Sequence, residues 1–318
     1  MYQSRRTFLK SSASVTAASL LPVLPLAQAV SVNKSTSPPI RPAPGFELLI
    51  MATNWGFDGT VDEFCKAAKA AGYDGVEIWW PANSEAKQKE IGDAVKKHDL
   101  QLGLACTSSV AAYDANLNEF KAAVASAASN SLHKPLYINC HTGKDYFTFE
   151  QGMAFMDYTI ALTEKTGMPI YHETHRSRLL YSAIVTKNFM DRLPKLRLNL
   201  DISHWCVVHN SLLAEIKDIV DQAIDRADHI HARVGHAEGA QVNDPRAPEW
   251  ASALNAHLQW WDRIIARKKS RGERMTILTE FGPPDYMPTL PYTRQPVADQ
   301  WAINVHMMNL LRERYLAH

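Results

Sequence analysis

Four short stretches of this sequence run from apolar, strand-compatible residues straight into metal-loving or titratable ones. In GMPIYHETHRSRLL (167–180), Met168 to Tyr171 lead directly into His172, Glu173, Thr174, His175 and Arg176. LRLNLDI (196–202) reaches Asp201, with His204 just beyond; HIHARV (229–234) holds His231 and Arg233; TILTEF (276–281) reaches Glu280. A buried strand does not normally tolerate such groups, and a solvated turn does not need them. Glu173, Asp201, His231 and Glu280 are the central set. Three carboxylates and one imidazole suit a divalent cation of intermediate hardness such as Mn²⁺, Co²⁺ or Mg²⁺. Without a cation, clustered carboxylates repel and raise one another's pKa, so a cation is their natural neutraliser.

Each residue also has an ordinary structural account. Glu173 can pair with Arg176 or Arg178, Asp201 can cap the helix after its strand, and His231 can be a hydrogen-bonded core histidine. Two further groups are weaker candidates for contacting substrate. His141 is a substrate contact or an imidazole packed beside Cys140, and Glu77 binds a substrate hydroxyl or pairs with a neighbouring cation. Strand alternation turns His172 away from Glu173, towards a helix. Trp55, Trp79, Trp80 and Trp205 can wall a mouth on which a ring stacks or lie in the core.

What could bring such distant groups together is a repeated unit. Apolar runs recur at ELLIMAT (47–53), GVEIWW (75–80), LQLGLACT (100–107), PLYINCHT (135–142), MPIYHET (168–174), LRLNLDI, HIHARV and TILTEF. They lie mostly about 27 to 35 residues apart, the length of one strand–helix unit. Helical-period segments such as TVDEFCKAAKAAGY and SEAKQKEIGDAVKKHD separate them, and PVADQWAINVHMMNLLRERYL supplies the last helix. Eight units predict an α/β fold, a (β/α)8 TIM barrel. An open doubly wound sheet fits less well, because MATNWGFDGT stands where a glycine-rich phosphate fingerprint would follow the first strand. In such a barrel the C-terminal strand ends converge on one mouth, and the polar residues fall at those ends: Glu77, His141, Glu173, Asp201, His231 with Arg233, and Glu280.

The N-terminus belongs to a different function. SRRTFLK at 4–10, a small-residue apolar run to Leu26 and AQA at 27–29 describe a secretory signal too short for a membrane span. Its paired Arg5 and Arg6 resemble the twin-arginine export signal, which carries folded, often cofactor-loaded proteins and implies the export machinery as a partner and a periplasmic location. No Cys at the cut indicates a lipid anchor. The predicted layout is a signal at 1–29, a Ser/Pro-rich tether at 30–45 and one barrel at 46–318. A formal charge of +1 argues against a nucleic-acid surface. Cys65, Cys106, Cys140 and Cys206 lack CxxC spacing and read as buried thiols. The sequence leaves homo-oligomerisation open.

YHETH, LNLDISHW, HIHARVG and LTEFG together resemble the xylose-isomerase-like TIM barrels, over residues 46 to 318. These are sugar isomerases and epimerases of the ketose 3-epimerase, inosose dehydratase and hydroxypyruvate isomerase kind. The resemblance implies one Mn²⁺-type ion (Co²⁺, Mg²⁺ or Zn²⁺ as alternatives) on Glu173, Asp201, His231 and Glu280. It implies Glu173 and Glu280 as ligands that are also acid and base, and His204 and Arg233 as contacts to substrate oxygens. The expected chemistry is proton abstraction beside a sugar carbonyl through a metal-stabilised enediolate. Re-protonation on the other face epimerises; a β leaving group is expelled instead, giving a 3-keto-glycoside lyase or hydrolase. A non-catalytic sugar-binding protein is a third class. Endonuclease IV shares the fold, but its trinuclear zinc site would want a histidine at the end of strand three and a D-x-H pair after strand seven. Cys106 and Thr107 stand at the first place, and HARVGHAEGAQVNDPRAPEW lacks the second. The long loop from Gly235 to Trp250 is either a loop over the mouth, where loops set substrate choice, or an ordinary solvated insertion.

Overall fold

A computed structural model describes residues 42–316. The predicted signal at 1–29 and most of the tether lie outside the described residues. Eight parallel strands close into a barrel in sequence order: β1 (Glu47–Thr53), β2 (Gly75–Trp79), β3 (Gln101–Thr107), β4 (Tyr137–His141), β5 (Ile170–Glu173), β6 (Leu198–Leu200), β7 (Ala227–His231) and β8 (Arg274–Thr279). Closure is a six-residue register between β1 and β8, from Glu47 opposite Arg274 to Ala52 opposite Thr279. The helices α1 (Val61–Ala71), α2 (Glu85–Lys97), α3 (Tyr113–Ala128), α4 (Phe149–Thr166) and α5 (Ala183–Arg192) follow the first five strands. After β6 come the short α6 (Ile202–Val208) and then α7 (Lys217–Arg226); α8 (Ala251–Arg271) follows β7, and α9 (Gln300–Leu316) follows β8.

Local chemistry sets these boundaries. Thr60 and Glu63 form a reciprocal capping box at the start of α1, and Thr148 and Gln151 do the same for α4. Gly167 ends α4 in the left-handed region (φ 71°), a conformation that would strain any side-chain-bearing residue. That turn delivers the chain into β5 and so to Glu173. Strands six, seven and eight end earlier than their apolar patterns suggest. Asp201 stops β6 because its carboxylate accepts the Ser203 backbone N–H (3.1 Å) and starts α6. Arg233 and Glu280 lie just past β7 and β8 rather than on them.

Two apolar layers hold the barrel. Outward-facing Ile50, Val76, Ile138, Ile230 and Ile277 are buried against the helices. Each such side chain contributes roughly 1.5–3 kcal/mol. Summed over the strand–helix layer, this outweighs the cost of several kcal/mol per ion of placing charges in the interior. Inside the barrel, Met51, Tyr137 and Leu278 form a separate apolar cluster, with Leu49 and Tyr171 packed on it. His172 faces outward as expected, between the Thr142 hydroxyl (2.6 Å) and the Thr159 hydroxyl on α4 (2.7 Å). Burial pushes its pKa down to about 3, so this ring is neutral.

All four cysteines are free and buried in this layer. Burial raises the Cys65 and Cys206 thiols to about 12 and pushes Cys106 and Cys140 higher still. A thiol-directed reagent is therefore expected to label none of the four in native protein and all of them in denaturant. Rapid labelling of any one would show that the strand–helix layer opens.

Candidate active site

The inward-facing residues of the strands alternate along each strand, and the last of them meet at the barrel's C-terminal end. Glu173, at the end of β5, is buried; its Oε2 approaches His141 Nε2 at 2.5 Å and accepts hydrogen bonds from the amides of Asn139 (3.0 Å) and Asn199 (3.4 Å). Glu173 Oε1 is buried with no partner. The Nδ1 of His231 lies 3.4 Å from Glu173 Oε2 and 2.9 Å from Glu280 Oε2. Asp201 Oδ1 takes both the backbone N–H and the hydroxyl of Ser203, and its Oδ2 pairs with the Arg233 guanidinium. Each of Glu173, Asp201, His231 and Glu280 offers one donor atom, and these atoms all lie within 4.8 Å of one another. Glu173 is therefore paired with histidines rather than with Arg176 or Arg178. Asp201 does cap its helix, but through one oxygen only.

The electrostatics of the cluster are unbalanced. Of the four carboxylates Glu77, Glu173, Asp201 and Glu280, Arg233 forms ion pairs with Asp201 and Glu280. Burial disfavours a charged imidazole, yet the carboxylates of Glu280, Glu173 and Glu77 hold His231 well above its ordinary pKa. Burial raises Asp201 to about 6, with Arg233 pulling it down and Glu280 and Glu173 pushing it up. The ring thus binds a proton in order to neutralise its neighbours. A divalent cation would do the same with the oxygen and nitrogen donors of Glu173, Asp201, His231 and Glu280 already converging. The residues present fit such an ion.

Substrate-contact candidates divide between the cluster and its surroundings. Arg233 is buried; it donates to Asp201, to the Ser203 hydroxyl (3.3 Å), and to His204 Nε2 (2.8 Å). His204 Nε2 is thereby an acceptor, which leaves the ring proton on Nδ1, an atom that is buried and unpartnered. His141 sits beside Glu173 and under the exposed face of Trp79 (ring centroids 4.7 Å; Trp79 is 42% exposed). Glu77 lies inside the barrel, away from the mouth: its Oε1 faces His231 Nε2 and its Oε2 faces His229 Nε2, each at 3.3 Å. Of the other tryptophans, Trp80 and Trp205 are core residues, bonded to the Ser126 hydroxyl and the Leu180 carbonyl.

Several site residues escaped the sequence reading. His175 stacks between His141 (5.0 Å) and His204 (4.0 Å). Tyr286 packs on Trp55 (4.9 Å) and receives the guanidiniums of Arg176 and Arg233 at 4.8 and 4.7 Å from its ring centre. Trp79, His141, His175, His204, Tyr286 and Trp55 thus form a continuous ring-to-ring arc. Asn139, Asn199 and His229 were detectable: each lies two residues before a polar strand-end residue, on the same inward face. Tyr286 had no such signal, because it lies in an irregular segment after β8.

The 235–250 loop is tied down rather than solvated throughout. The Gln241 side chain accepts the Gly282 backbone N–H (2.7 Å) and donates to the Gly282 carbonyl (3.1 Å), two residues past Glu280. A Cβ on Gly282 would meet the Trp55 ring at 2.4 Å, so only glycine lets that ring lie against the backbone carrying Glu280.

The family model of the xylose isomerase-like TIM barrel matches residues 65–251. The chain belongs to this family. A second family model, that of the twin-arginine translocation pathway signal sequence, matches residues 3–22, which supports export to the periplasm. Among the described residues no helix is long and apolar enough to cross a membrane. No curated protein sequence matches the chain. Solved structures of similar fold include D-allulose 3-epimerase from Methylomonas sp. (15% identity, TM-score 0.55, covering 87% of this chain and 99% of that one). Another is 3-keto-D-glucoside 4-epimerase from E. coli (13%, 0.53, 84% and 99%). A third is the probable 3-DHS dehydratase from Bacillus anthracis (15%, 0.54, 83% and 98%). Sugar epimerases and a dehydratase therefore share the architecture of this xylose isomerase-like barrel.

Proposed function

We propose that this protein is an exported, divalent-metal-dependent sugar isomerase or epimerase, with Glu173 and Glu280 as its acid/base pair. The supporting observation is that two buried carboxylates, carried by β5 and by the residue after β8, both reach the Nδ1 of one imidazole, at 3.4 and 2.9 Å. Glu173, Asp201, His231 and Glu280 would hold the ion, Mn²⁺ first among the candidates. A bound cation would serve as a Lewis acid for the carbonyl and neighbouring hydroxyl of a sugar, an effect worth several kcal/mol.

The protein's own groups do the rest. Glu173, with Oε1 free, takes the proton beside the carbonyl, and Glu280 returns one from the other side; each such transfer typically contributes about 10²- to 10⁴-fold in rate. The His204 Nδ1–H and the Arg233 guanidinium orient substrate oxygens. Trp79 and the aromatic arc offer faces for the sugar ring, and Arg233 holds Asp201 ionised.

The export signal favours a second reading, a 3-keto-glycoside lyase that expels an aglycone by β-elimination, because glycosides are met outside the cytoplasm. The same carboxylates perform the first step. Incubating Mn²⁺-loaded protein in D₂O with a ketose and with a 3-keto-glucoside separates the readings. Deuterium uptake with inversion is expected for the epimerase, and aglycone release for the lyase. Chelation is expected to abolish either, with recovery on adding Mn²⁺ back. Turnover undiminished by thorough chelation would sink the metal-dependent reading, and neither reaction with any substrate would leave a binding protein.

A further inference from the structure

Glu77 is an ionisable residue in the middle of the barrel, 5% exposed, and the acid/base scheme gives it no task. A carboxylate so placed is costly unless its partners are fixed. The partners are two histidines from the same strand, β7. Glu77 Oε1 faces His231 Nε2 and Glu77 Oε2 faces His229 Nε2, each at 3.3 Å.

The hydrogen inventory orders this chain. Asn139 has two amide hydrogens and three neighbours, Glu173 Oε2 (3.0 Å), Glu77 Oε1 (3.2 Å) and His231 Nε2 (3.3 Å), and the two nearer carboxylate oxygens take them. His231 turns Nδ1 to Glu173 and Glu280, so a cation among those carboxylates needs Nδ1 bare and puts the ring proton on Nε2, facing Glu77. His229 donates from Nδ1 to the Thr276 carbonyl (3.0 Å), and its Nε2 lies 3.3 Å from Glu77 Oε2 without a hydrogen bond. The donors that reach Glu77 are the Asn139 amide (3.2 Å) and, with the proton so placed, His231 Nε2 (3.3 Å), both at Oε1.

We infer that Glu77 is a positioning residue that holds His231 with Nδ1 presented to the metal, and that the Asn139 amide in turn fixes the Glu77 carboxylate. This rests on the metal-dependent reading of the cluster. Outer carboxylates of this kind fix the tautomer of a ligating histidine and raise its basicity; removing one typically weakens metal binding or activity about 10- to 100-fold.

The test is Mn²⁺ affinity of chelator-treated protein, measured by calorimetry for wild type and for Glu77→Gln, with thermal unfolding of both metal-free proteins as the control for folding. Glu77→Gln is expected to bind Mn²⁺ about 10- to 100-fold more weakly than wild type. Equal affinity in a folded variant overturns the assignment while leaving the metal reading standing. If wild type itself binds no Mn²⁺, the metal reading falls and this inference falls with it. Should Glu77→Gln fail to fold, the wild type decides by ¹⁵N spectroscopy of its histidines, loaded with diamagnetic Zn²⁺ and with His231 assigned by its loss in His231→Gln. A proton on His231 Nε2 and metal on Nδ1 are expected; the reverse tautomer overturns the inference.

Discussion

Glu173→Gln is expected to lower solvent-proton exchange into substrate by about 10²- to 10⁴-fold while the metal-free protein keeps its fold. The reasoning starts from the unequal duties of the two oxygens. Oε2 collects the hydrogen bonds, from Asn139 and Asn199, and stands beside His141 and His231. Oε1 has none. A glutamine can put its carbonyl where Oε2 was and keep those amide bonds, at no change in volume. Its NH₂ then occupies the place of Oε1, where a basic lone pair is needed and a donor cannot serve. The two measurements are deuterium uptake from D₂O and thermal unfolding in chelator. Exchange retained at the wild-type rate would remove Glu173 from the acid/base role, and a collapse of the chelated fold would assign it to structure instead.

The parts of this arrangement legible in the sequence are those governed by short-range periodicity. Eight apolar runs separated by amphipathic segments predicted the closed barrel, and the titratable residues at or near the ends of runs five to eight include Glu173, Asp201, His231 and Glu280. Alternation correctly turned His172 outward. The same rule, applied one step down each strand, would have found Asn139, Asn199 and His229, which sit two residues before His141, Asp201 and His231. It would also have placed Glu77 within the barrel rather than at a sugar hydroxyl, since Glu77 is followed on its inward face by Trp79, the residue that reaches the exposed mouth. What periodicity cannot carry is the contribution of irregular segments. Tyr286 and the Gln241–Gly282 clamp depend on loop paths fixed only by tertiary contacts. His175, likewise past the end of β5, acquires its place by stacking on rings from β4 and α6.

The second large effect concerns Arg233, the guanidinium that pairs with the buried carboxylates of Asp201 and Glu280. Arg233→Met keeps an unbranched side chain of nearly the same volume but removes the guanidinium that lies over Tyr286 and near Trp55, so charge is lost together with that ring contact. Asp201 is then left buried without its counter-ion, and Glu280 loses a guanidinium at 3.4 Å. Removing one member of a buried pair typically costs about 3–5 kcal/mol. For a domain of this size that corresponds to a fall in Tm of roughly 6–20 °C. The sign of the metal dependence follows from the same charges. In the chelated variant the carboxylates have the imidazoles of His231 and His141 and no divalent ion beside them, so the full loss is expected there. In the Mn²⁺-loaded variant the divalent ion supplies the missing positive charge, and the loss shrinks, because an ion that binds the folded state better raises its apparent stability. Thermal unfolding of wild type and Arg233→Met, each with Mn²⁺ and with chelator, gives four midpoints. A drop that is the same in both conditions would mean that Arg233 and the cation do not share these carboxylates. An absence of any drop would mean that the Asp201 carboxyl is protonated in the native protein and has no charge for Arg233 to balance.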